Sequence, residues 1–238
     1  MTDLAALTDQ VIRDSGLDAT DLRLRVRNAR ENGLLPNSPR GKRRGEFAIP
    51  TVMPVHGVVV LLAGMSGGPQ VGTAATIRRL WALPLHALGG RDQYTRPAGA
   101  PSLGMRLLGL MEKASISNYR LDFDNAFFSL QISQNQNRPY VGLSHNNGQM
   151  TEHYMPLHHP MHSDFRAPIS AVSMCGPDIF LSLGEIIMQS RDAAASLEIA
   201  LSSENVIASL NAHTASLVDA NFENETAATL PGVTAAFA

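Results

Sequence analysis

Leu4, Leu7, Val11 and Ile12 recur at helical spacing and Gly16 follows as a left-handed stop, so the pattern predicts an amphipathic helix over residues 3–15. Asp18-Ala19-Thr20-Asp21 then supplies cap-type side chains and first-turn acids for a second helix. Within it Leu22, Val26 and Ala29 form one stripe, while Arg23, Arg27 and Arg30 repeat the same spacing about 100° around the axis. The first stripe is set to pack and the second to face outward, with Arg25 on the opposite flank. Gly33 suits a C-terminal cap, and Pro36 blocks continuation.

Residues 51–66 are apolar and small, and Ile77, Leu80, Trp81 and Leu85 keep helical spacing beyond them, which predicts two helices around a Gly-rich turn. Residues 86–101 hold three Gly, Pro97 and Pro101 and have the composition of an exposed connection, followed by a short helix over Leu103–Lys113. The period then changes to two. Tyr119, Leu121 and Phe123, then Phe128, Leu130 and Ile132, alternate with polar residues, and Tyr140, Val141 and Leu143 begin a returning strand. Ile169–Met174 is a further candidate strand. Helices are expected from Pro177, with Ile179, Leu183, Ile186 and Ile187 on one face, and over Asp192–Leu201 and Glu204–Phe222. The predicted fold class is α+β: an N-terminal helix-turn-helix with a helical extension, then a small antiparallel sheet flanked by helices. The expected organisation is a first domain over 1–88, a linker at 89–102, an oligomerisation or sensing domain over 103–222, and a flexible tail at 223–238.

Composition adds little until it is divided along the chain. The 238 residues carry 19 Lys+Arg against 21 Asp+Glu, a net charge of −2 that argues against a whole-chain polycation. Residues 1–45 hold nine basic and six acidic residues, a balance of +3; the other 193 hold ten and fifteen, a balance of −5. Arg23–Arg44 alone contains eight basic residues and a single acid, Glu31. That segment points toward a polyanionic partner, because each cation that neutralises a phosphate releases condensed counterions. The competing reading is a solvated helix face followed by a charged connection.

The run IRDSGLDATDLRLRVRNARENGLLP resembles the helix, turn and recognition helix of winged helix-turn-helix and excisionase-type DNA-binding domains. By that resemblance, which spans about 45 residues, Arg23, Arg25, Arg27, Asn28 and Arg30 are the candidate DNA-contacting residues of the recognition helix. Arg40, Lys42, Arg43 and Arg44 stand where such domains place a wing or basic arm and would contact phosphates or the minor groove. The implied protein is a sequence-specific transcription regulator that binds double-stranded DNA as a homo-oligomer, most simply a dimer, with a protein partner for the C-terminal module as a further prospect. A second resemblance is to phage-type small terminase subunits, which also join an N-terminal helix-turn-helix to an oligomerising region and assemble as rings.

Candidate chemistry elsewhere is sparse. His145, His153, His158, His159 and His162 cluster within eighteen residues and raise the alternative of a metal-dependent enzyme, but no H-E-x-x-H spacing occurs, and Pro156 and Pro160 predict a loop. GMSGGPQVGT lacks the Lys-Ser/Thr of a phosphate loop. The expectation is therefore a non-enzymatic protein without cofactor or metal. The single cysteine, Cys175, is read as a small core residue in a reducing compartment. MTDLAALTDQ has no signal-peptide pattern, and the apolar run Val55–Met65 is too short to cross a bilayer, so a cytoplasmic location without membrane contact is expected.

Overall fold

The computed structural model describes residues 3–36, 52–66, 69–90, 93–95, 99–116, 129–133, 140–145, 150–155, 172–192 and 206–212. Helices α1 (Asp3–Ser15) and α2 (Ala19–Glu31) are joined by the turn Gly16-Leu17-Asp18, with Gly16 at φ 64°. Asp18 caps α2 by accepting the Asp21 amide at 2.7 Å. Gly33, at φ 76°, ends α2 in a Schellman motif: its amide donates to the Arg30 carbonyl at 3.0 Å and that of Leu34 to Ala29 at 2.9 Å. Leu22, Val26 and Ala29 are the buried residues of α2, the stripe the sequence predicts.

Helix α3 (Pro54–Met65) is the hub. Pro54 pre-sets its first turn, and every residue except Gly64 is buried, so it needs apolar neighbours all round. Those neighbours are α1, α2, α4 (Thr73–Trp81), α5 (Leu103–Ala114) and α6 (Pro177–Asp192). Helix α4 follows a 3-10 turn, Gln70–Gly72, and Trp81 at its end packs directly against Gly104 of α5. A short helix over 206–212, α7, is held to α4 by the Trp81 indole N–H, which donates to Asn211 Oδ1 at 3.2 Å.

The strands β1 (Leu85–Gly90), β2 (Gln93–Thr95), β3 (Ser129–Ser133), β4 (Tyr140–His145), β5 (Met150–Tyr154) and β6 (Val172–Cys175) form one antiparallel sheet in the order β2-β1-β5-β4-β3-β6. An α+β architecture is thus present. Val141 and Leu143 of β4, with Leu130 and Ile132 of β3, are buried on one face and belong to the core shared with the helices.

Two sequence expectations change. The stretch expected to link two domains supplies β1 and β2 instead, with β1 paired to β5 from Leu85↔Tyr154 to Gly89↔Thr151. One apolar core then runs from Leu4 to Leu210 across it. The histidine-rich stretch expected to be a loop contains β5, because Met150–Tyr154 completes ladders on both sides. Tyr119–Phe123, Asp192–Leu201 beyond its first residue, and the tail 223–238 lie outside the described residues. Among the described residues no helix is long and apolar enough to cross a membrane.

Candidate nucleic-acid interface

Helix α2 divides into flanks with different tasks. One flank is bolted to the turn and helix that follow α3. Arg25, whose side chain is only 11% exposed, donates from Nε to Asp21 Oδ2 at 2.6 Å and from Nη1 to the Ser66 carbonyl and hydroxyl. Asp21 also accepts from Gln70 Nε2 at 2.8 Å, and its carboxyl is held below the usual range, first by the Arg25 hydrogen bond. Asn28 accepts the Ala74 amide at 3.0 Å and donates to the Val71 carbonyl at 3.1 Å. One turn on, Arg78 of α4 donates to the Asn32 carbonyl at 2.9 Å.

The other flank borders α1. Arg23, Arg27 and Arg30 line a cleft of about 260 Å³ with Val26 of α2 and Ala5, Thr8 and Asp9 of α1. Arg23 pairs with Asp9 at 3.1 Å and Arg27 with Glu31 at 2.8 Å; both guanidiniums are well exposed, at 63% and 71%. Exposed pairs of this kind contribute at most about 1 kcal/mol, so a stronger anion can displace the carboxylates. Arg30 is half-buried, and its Nε is enclosed without a hydrogen-bond partner among the described residues. Between the flanks Thr20, Leu24, Arg27 and Glu31 face outward.

The nine sequence-predicted residues therefore separate into three groups. Arg23, Arg27 and Arg30 share one open face. Arg25 and Asn28 are turned to the interior side of α2 and engaged in fastening it. Arg40, Lys42, Arg43 and Arg44 lie outside the described residues. Sequence reasoning missed the fastening roles because the partners Ser66, Val71 and Ala74 are more than forty residues away.

Of the histidines, His153 lies on β5 and shares a 2.6 Å hydrogen bond between its Nδ1 and the Tyr140 hydroxyl. Burial, then the neighbouring His86, lowers its pKa. His145 ends β4, and His158, His159 and His162 lie outside the described residues. No group of three or more metal-ligating side chains converges among the described residues. On the opposite face of β5, Glu152 accepts from Arg106 of α5 at 2.8 Å and from the Tyr154 hydroxyl at 2.6 Å, which ties the sheet to the helices. Burial raises the Cys175 thiol to about 12, far from the range of a reactive thiolate.

Comparison with known proteins finds no matching family model, no matching curated protein and no matching solved structure.

Proposed function

We propose that the chain is a sequence-specific DNA-binding protein of the transcription-regulator class, with α2 as the helix that enters the major groove. The observation that carries this reading is the shared face of Arg23, Arg27 and Arg30 on a helix whose other flank is fastened by Arg25 and Asn28. Guanidiniums on a rigid helix meet the requirement for bidentate donation to guanine O6 and N7, since a poorly held helix would lose the discrimination to its own motion. The cleft beside them, lined by Arg23, Arg27 and Arg30, has room for a phosphate group. The basic run Arg40–Arg44 would add sequence-independent phosphate contacts.

The test is duplex binding by fluorescence anisotropy across a salt series. The combined substitution Arg23→Ala, Arg27→Ala and Arg30→Ala is expected to weaken binding by several kcal/mol, at about 1–3 kcal/mol per good base contact. Its far-ultraviolet circular dichroism should match the wild type, because the core stripe Leu22, Val26 and Ala29 is untouched. Affinity of the wild type should fall steeply with salt. Equal affinity of the triple variant and the wild type would overturn the assignment of α2.

A further inference from the structure

Around the axis of α2 the arginine face is followed by Leu24 and then by the fastened flank at Asn28, four residues on and one turn above Leu24. Asn28 donates to the backbone carbonyl of Val71, so the 3-10 turn lies against α2 beside Leu24. Val71 is 85% exposed and Leu24 is 39% exposed. Val71 thus stands clear of the core although its backbone is anchored on both sides. Among the described residues, Val71 and Leu24 together leave apolar surface exposed beside the arginine face. The surface formed by α2 and this turn therefore runs from guanidiniums at one edge to two apolar side chains at the other.

The major groove presents the matching pair of features. Guanine offers O6 and N7 acceptors to arginine, and thymine offers an apolar 5-methyl group to an aliphatic side chain. We propose that Leu24 and Val71 are specificity-determining residues that read thymine 5-methyl groups beside the guanines read by Arg23 and Arg27. This inference rests on the DNA-binding reading of α2. Charge complementarity selects the occupant: the arginines next to the pair favour a polyanion, whereas a second copy of this chain would have to bury them against its own basic face.

The experiment begins with selection of bound sites from a randomised duplex pool by the full chain. The tightest site is then synthesised with thymine and, one position at a time, with deoxyuridine, which lacks only the 5-methyl group. At one or two positions the wild type should lose about 3- to 10-fold in affinity, the scale of one lost apolar methyl contact. Val71→Ser and Leu24→Ser should lose a similar factor on the thymine duplex and become indifferent to deoxyuridine. Equal wild-type affinity for both duplexes at every position would overturn the proposal while leaving DNA binding intact. A change in sedimentation mass of the free Val71→Ser protein would overturn it in favour of self-association. Failure of the wild type to bind any duplex at low salt would instead remove the reading of α2 on which it stands.

Discussion

Asn28 caps a helix to which it does not belong: its side-chain oxygen accepts the Ala74 amide in the first turn of α4, at 3.0 Å. The cap position itself is Gly72, which has no side chain to do this. Asn28→Ala should destabilise the protein by about 1–2 kcal/mol, combining a lost cap with the Val71 carbonyl left without its donor. Urea denaturation measures this. Asn28→Asp, which keeps the acceptor, should recover part of the loss, and equal stability of wild type and Asn28→Ala would refute the capping role.

Gly184 of α6 marks a close approach of that helix to the backbone of α5. A Cβ built there would stand 2.3 Å from the Ala114 carbonyl oxygen of α5, and backbone cannot rotate aside. Gly184→Ala should cost about 1–3 kcal/mol or more by forcing α5 and α6 apart. Gly104→Ala, which drives a methyl into the Trp81 ring at 2.0 Å, should act similarly. Thermal melts of the two variants and of the control Gly109→Ala, whose Cβ meets nothing within 4 Å, separate crowding from changes in helix propensity.

His56 makes stability pH-dependent. Its Nδ1 accepts the Met53 amide at 3.1 Å, which places the proton on Nε2, and burial lowers its pKa to about 4. A second ring proton, which must occupy the Nδ1 that accepts from Met53, binds near pH 6.5 in the unfolded chain and near 4 in the folded one, so the unfolded state is favoured as pH falls through that window. The contribution is complete above pH 6.5 and its loss by pH 4 amounts to about 3 kcal/mol. Urea midpoints at pH 7 and pH 5 should differ for the wild type, and His56→Asn should show a flatter dependence. Identical pH slopes for the two proteins would refute the assignment.

Glu152 should be costlier to remove than to replace together with its partner. Glu152→Ala leaves Arg106 and the Tyr154 hydroxyl without their shared acceptor, at a cost of about 2–4 kcal/mol. The double variant Arg106→Met, Glu152→Leu should be less destabilised than that single change. A double-mutant cycle by chemical denaturation yields the coupling, and strict additivity would show that the pair is not energetically linked.

The elements most legible in the sequence are those whose burial follows one helical stripe. Leu22, Val26 and Ala29 in α2, and the glycines that end α1 and α2, are readable because their reasons are local. Strand β5 was not, since the inward position of its alternation is Glu152, an acid made acceptable only by Arg106 and Tyr154. Strand β1 was hidden because Gly-rich composition resembles a connection and its partner lies some sixty residues on. At the candidate interface the outward arginines were legible as a stripe. The roles of Arg25 and Asn28, and the exposure of Val71, depend on contacts that no local pattern encodes.

The burial of α3 on all sides also ties the N-terminal helices to a distant part of the chain. Its wall includes α6, and the Val52 amide is satisfied by the Ser190 hydroxyl, 138 residues later, at 3.1 Å. During synthesis α1, α2 and α3 emerge before the segment that covers them exists, and contacts of such sequence separation form slowly. A fragment ending near residue 88 leaves Gly57 facing solvent where Met111 and Ile187 should lie, and exposes much of the apolar helix. The arginine face of α2 therefore rests on a core that residues far along the chain complete, and a fragment ending near residue 88 should hold it less firmly.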